Sequence, residues 1–168
     1  MPIFSGDEIK CVARCLIEFI DKMHGLNYLH RSINLKHILT IVDSTNKITE
    51  AKVCGFRSAK SEDLDTNMTM TVEDYLFVDP LSFSEGFYED SDLWSIGLVI
   101  YYMTFKDAIS HDPEKLRNIR KEPEKLVIPN NIDENIAKFI YFCIRKRDQS
   151  MNQNALLSTQ LNIEQIKI

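Results

Sequence analysis

Ser91-Asp92-Leu93-Trp94-Ser95-Ile96-Gly97-Leu98-Val99-Ile100-Tyr101-Tyr102-Met103 is a helical stretch with apolar side chains on almost every face. It is too short to cross a bilayer, which needs about 20 apolar residues. A helix of this kind has to be surrounded by protein on all sides. The rest of the chain must therefore supply segments with one apolar face each. At 168 residues the chain is long enough to do so within one domain.

Those segments are readable in order. Ser5-Gly6-Asp7-Glu8 has the form of a capping box, with Ser5 as the cap and Glu8 reaching back to its backbone N–H. The helix it starts runs to His24. Ile9, Val12, Leu16, Phe19, Ile20 and Met23 make its apolar stripe, and Gly25 ends it. Strands are expected at 38–42 and 50–53, joined by a turn at Asp43-Ser44-Thr45-Asn46-Lys47. Residues 58–74 are polar and read as an exposed, mobile loop. Asp112 and Pro113 mark a helix start, and Asp133 caps another helix whose face is Ile136, Phe139, Ile140 and Cys143. A weaker helical pattern follows from 152. No repeat, low-complexity tract or linker interrupts the chain.

Composition narrows the class. Hydrophobic residues make up 44% and charged residues 27%, ordinary for a globular domain. A net charge of -5 argues against nucleic acid as a partner. No apolar run is long enough for a membrane span, and residues 1–4 do not form a secretory signal. The four cysteines, Cys11, Cys15, Cys54 and Cys143, lack metal-type spacing and suit a reduced, cytoplasmic setting, with the nucleus as a second compartment.

Two motifs carry the functional reading. Tyr28-Leu29-His30-Arg31-Ser32-Ile33-Asn34-Leu35-Lys36-His37-Ile38-Leu39 has the shape of H-R-D-L-x-x-x-N followed by an apolar strand. Lys52-Val53-Cys54-Gly55-Phe56-Arg57-Ser58 has the shape of a strand entering D-F-G. With S-D-L-W-S-I-G at 91–97 behind them, the order resembles the C-terminal lobe of a protein kinase. The implied fold is mainly α with a small β-hairpin, and the implied domain is 5–157 with a tail at 158–168. No Gly-rich phosphate loop, strand lysine or helix-C glutamate precedes Ser5, so the N-lobe is expected to be absent.

Both motifs are altered. Ser32 stands at the catalytic Asp, Asn34 at a Lys, His37 at the Asn, Gly55 at the D-F-G Asp and Arg57 at its Gly. The set is similar to that of the STRAD pseudokinase adaptors. That resemblance implies a catalytically inactive adaptor that allosterically activates a partner Ser/Thr kinase together with a helical-repeat scaffold protein. It implies no cofactor, and ATP without hydrolysis only if an N-lobe is supplied. The chemistry agrees with that expectation: a serine hydroxyl stays protonated at neutral pH, glycine offers no ligand, and magnesium prefers oxygen to imidazole. Two other readings stand beside it: a kinase domain with ATP-dependent phosphotransfer represented only in part, and a decoy lobe that sequesters a kinase.

The same resemblance assigns structural roles. His30 and Phe56 would stack inside the lobe, Asp92 would accept hydrogen bonds from the backbone at His30 and Arg31, and Trp94 would sit in the core. Arg31 would meet a phosphate on Thr66, Thr69 or Thr71, or remain solvated. Leu81 would replace the Glu of A-P-E, with its arginine partner also lost near Ser150. His24, His30 and His37 lie close in sequence, but no neighbouring cysteine or carboxylate spacing supports zinc. Glu62, Asp63 and Asp65 read as a solvated face.

Overall fold

A computed structural model describes residues 4–61, 72–110 and 113–144. Helix α1, Gly6–His24, starts as its sequence dictates. Ser5 N donates to Glu8 Oε2 at 2.8 Å and Glu8 N donates to Ser5 Oγ at 3.3 Å. The other oxygen of Glu8 accepts from Ile48 N at 3.1 Å, so one carboxylate ties the helix start to a strand 40 residues away. The buried face is Ile9, Val12, Ala13, Leu16, Ile17 and Ile20. Gly25 follows the helix in right-handed geometry, and the left-handed residue of the turn is Asn27 at φ 58°.

Among the described residues, four short strands form two separate antiparallel pairs. β1, Tyr28–Leu29, pairs with β4, Lys60–Ser61. β2, Ile38–Val42, pairs with β3, Ile48–Val53, in the register Ile38 to Val53, with an irregularity at Ile41/Val42. Asp43 organises their turn by accepting from Thr45 N at 2.7 Å and Lys47 N at 3.1 Å. β3 begins at Ile48, two residues before the expected start, because Ile48 is buried and its N–H is held by Glu8.

The apolar stretch is α4, Glu89–Ser110. Trp94, Ile96, Leu98, Val99, Ile100, Tyr101 and Met103 are all buried in one core with α1. Fully burying a side chain of this size contributes about 1.5–3 kcal/mol, so a helix buried on every face anchors the domain. α4 loses helical geometry at Phe105, with φ -123° and ψ 28°. α5, Pro113–Lys121, and α6, Glu134–Cys143, pack onto it. Asp133 caps α6 by accepting from Asn135 N and Ile136 N. Asp112 lies outside the described residues. Gly97 is required at the α4–α6 crossing: a Cβ there would stand 2.5 Å from Cys143 Cβ. Among the described residues no helix is long and apolar enough to cross a membrane.

The stretch read as a loop at 58–74 is corrected at both ends. Lys60–Ser61 form β4 and Val72–Phe77 form a short helix, α2. A two-residue strand carries no periodicity of its own, and β4 exists only because β1 presents it an edge. Residues 62–71, including Glu62, Asp63, Asp65, Thr66, Thr69 and Thr71, lie outside the described residues. So do Ser150, the tail and the boundary at 157/158.

The placement of Leu81 is corrected too. Leu81 is only partly buried and precedes α3, Ser82–Glu85. The buried carboxylate of this segment is Asp79, 4% exposed, which accepts from Leu81 N at 3.0 Å and Ser82 Oγ at 3.3 Å.

Candidate active site

The loop from His30 to His37 hangs on one carboxylate. Asp92, in the first turn of α4 and 1% exposed, accepts from His30 N and Arg31 N, each at 2.8 Å. His24 Nε2, from the last turn of α1, lies 3.0 Å from the same Oδ2 that His30 N uses. Three elements thus meet at Asp92. The anchoring permits a costly backbone: Arg31 has φ 68°, a left-handed conformation that L-residues seldom adopt. Its guanidinium lies 4.3 Å over the Phe87 ring.

His30 is fully buried and satisfied as a neutral imidazole. Its Nε2–H donates to the Cys54 carbonyl at 3.1 Å, and its Nδ1 accepts from Ser32 N at 3.3 Å. Burial, foremost, holds its pKa below the ordinary histidine value, against the opposing pull of Asp92 and the Cys54 carbonyl. The ring packs on Phe56 with centroids 5.2 Å apart, and Phe19 of α1 completes a three-ring cluster. Phe56 is half-exposed and Arg57 beside it is exposed. Trp94 is buried in α4 below the loop.

Ser32, Asn34, His37 and Gly55 come together. Cys54 N donates to His37 O at 2.8 Å, which extends the β2–β3 pairing by one step and sets His37 beside Gly55. His37 Nδ1 lies 2.6 Å from Ser32 O, so that nitrogen carries the proton and donates it to the carbonyl. Ser32 Oγ is 3.4 Å and Asn34 Nδ2 3.2 Å from the same nitrogen. Ser32 and Asn34 are both 4% exposed, whereas the His37 residue is only partly buried. Gly55 has φ 83° and no Cβ, and the His37 ring fills the space a Cβ would take.

With this geometry in hand, the comparisons with known proteins decide the family. The protein kinase domain model matches residues 2–155. The chain belongs to the protein kinase domain family. Serine/threonine-protein kinase SRK2J of Arabidopsis thaliana is 30% identical over 76% of this chain and 37% of its own length. SRK2A of Physcomitrium patens is 26% identical over 98% of this chain and 46% of its own. SAPK9 of Oryza sativa subsp. japonica is 26% identical over 86% and 39%. The chain spans less than half the length of these curated relatives.

The matches correct the adaptor reading. The relatives are named serine/threonine-protein kinases and not adaptors, which overturns the reading of a catalytically silent activator of another kinase. The few altered positions that suggested STRAD are local; the match extends over most of the chain. At 26–30% identity it fixes the family and leaves the roles of Ser32, His37 and Gly55 to geometry.

Kinase domains hold magnesium at the positions of His37 and Gly55. An imidazole and a missing side chain do not suit a hard cation that requires near-octahedral oxygen. Zinc fares no better: among the described residues no group of three or more His, Cys, Asp and Glu side chains could hold a metal ion. His24, which looked like part of a histidine cluster, faces Asp92 instead.

Sequence reasoning missed the carboxylate of Asp79 and the guanidinium of Arg120. Arg120 is buried at the end of α5, donates to the Val78 carbonyl and lies 4.3 Å over the Tyr75 ring. Burial lowers its pKa. An arginine in the last turn of an amphipathic helix ordinarily reads as a solvated end, so no sequence signal marked it.

Proposed function

We propose that the chain is the helical lobe of a protein kinase domain that transfers the γ-phosphoryl group of ATP to a serine or threonine hydroxyl. The observation that carries this reading is the match to the protein kinase domain model over residues 2–155, and the names of the relatives support the acceptor class. Phosphoryl transfer passes through a loose transition state, and catalysis of it is mostly positioning and charge stabilisation. The chain's own contribution is a rigid loop, pinned by Asp92 and stacked through His30, that presents its partly open end beside Gly55.

The test is phosphotransfer by the full-length gene product with labelled ATP, Mg²⁺ or Mn²⁺, and serine- and threonine-containing peptides. Label on serine or threonine is expected. No label from the natural protein, with label from the same protein carrying Ser32→Asp, His37→Asn and Gly55→Asp, would overturn the reading.

A further inference from the structure

Helix α4 loses its regular geometry at Phe105, and α5 packs across it. Among the described residues, a cavity of about 330 Å³ lies where the two meet. That is the small end of the range for ligand sites, about 300–1,000 Å³. Positions 115, 118, 119 and 122 of α5 line it, the i, i+3, i+4, i+7 set that shares one helix face. Tyr101 and Phe105 of α4, with ring centroids 4.8 Å apart, form a second wall. Residues after α5 form the third. There Ile128 is buried and its N–H donates to Tyr141 Oη at 2.9 Å, while Val127 beside it lines the cavity and is 79% exposed.

Two polar groups of this lining are left without an answer. Tyr101 is 8% exposed, and its hydroxyl has no hydrogen-bond partner among the described residues, yet it is not sealed in the core. A buried tyrosine hydroxyl ordinarily finds a partner. Burial, foremost, raises the pKa of this phenol, and Tyr141 adds to the rise, so at neutral pH it is a donor. The charges are unequal as well. Lys125 is paired with Glu122 at 2.5 Å, whereas Lys115 has no ion-pair partner among the described residues. The lining therefore carries one uncompensated positive charge above apolar walls.

We propose that this cavity binds a small organic acid, with its apolar body against Phe105 and Val127, Tyr101 Oη donating to its oxygens and Lys115 supplying the counter-charge. An amine would meet charge of the wrong sign, and a neutral molecule would leave Lys115 unanswered. Asp92 and the loop it pins are at the other end of α4, so the inference does not rest on the phosphotransfer reading.

The test is isothermal titration of the full-length gene product with millimolar octanoate, octanol and octylamine, which share an apolar chain and differ in the charge of the head. Octanoate should bind at a single site and more tightly than octanol, and octylamine should not bind. Tyr101→Phe should weaken octanoate by about 2–10-fold, the worth of one net hydrogen bond. Lys115→Met should weaken it by about 2–5-fold, the worth of an exposed ion pair, and leave octanol unchanged. Both variants should fold, since the first keeps the buried ring and the second is on the surface. No binding of octanoate would overturn the site. So would octanol or octylamine binding as tightly as octanoate, or octanoate binding indifferent to both substitutions. A concentration-dependent dimer in sedimentation that Val127→Asp dissolves would mean that a second chain covers the cavity, and would overturn the small-acid reading too.

Discussion

Replacing Asp92 should unfasten the active-site loop, and the cost can be worked from its contacts. The carboxylate is 1% exposed and accepts two backbone N–H groups at 2.8 Å, with His24 Nε2 at 3.0 Å. A buried donor left without its partner costs about 1–3 kcal/mol. Two of them make about 2–6 kcal/mol for Asp92→Ala before any relaxation. The left-handed residue Arg31 stores about 1–2 kcal/mol of strain, and its release would return part of that. A net loss of about 3 kcal/mol is therefore expected, a large share of the roughly 5–15 kcal/mol typical of a domain. Asp92→Asn keeps one acceptor oxygen and turns its amide toward the other donor, so about half that loss is expected. Urea unfolding followed by the fluorescence of Trp94, the chain's only tryptophan and on the same helix, measures both. If Asp92→Ala lies within about 0.5 kcal/mol of wild type, a value typical of surface sites, the carboxylate does not hold the loop.

Asp79→Ala should destabilise by about 2–4 kcal/mol, because it strips the acceptor from Leu81 N and Ser82 Oγ, whereas Leu81→Glu should change little; the reverse order in thermal melts would restore Leu81 as the buried position. Gly97→Ala should cost about 1–3 kcal/mol by forcing α4 and α6 apart against Cys143 and Ile144, and a neutral result in denaturant melts would mean the helices do not cross so closely. Stability should also fall with acid through His30. Its folded pKa lies below the unfolded value near 6.5, so the unfolded chain binds more protons as pH drops through that value. Unfolding free energies at pH 7 and 5.5 should differ more for wild type than for His30→Phe, and parallel slopes would show that His30 is not the group responsible. The carboxylates held low, Glu8, Asp43 and Asp133, contribute stability that is lost only at lower pH, below their unfolded range near 4, which keeps the two windows apart.

What a chain segment contacts within one or two turns of itself could be read from its residues. The capping box at Ser5 and Glu8, the Asp133 cap, the Asp43 turn and the all-apolar face of α4 are each set by local geometry or local polarity. The S-D-L-W-S-I-G block and the two altered motifs carried the kinase lobe for the same reason, since their order along the chain is itself the signature. What the sequence left open was decided by groups far apart in the chain that share one space. His24 meets Asp92 across 68 residues, Glu8 meets Ile48 across 40, and no spacing rule connects either pair. The same holds for β4, which becomes a strand only beside β1, and for Asp79, whose burial separates it from Leu81 where motif counting did not. Most of all it holds for His37 and Gly55. Read singly, they are two lost ligands, and the chain looks like a silent adaptor. Antiparallel pairing of β2 with β3 sets them side by side, and the ring of one then occupies the volume the other lacks. Excluded volume between residues apart in the chain has no trace in a linear pattern, so only the tertiary structure could show that the His37 ring stands where a side chain at Gly55 would be.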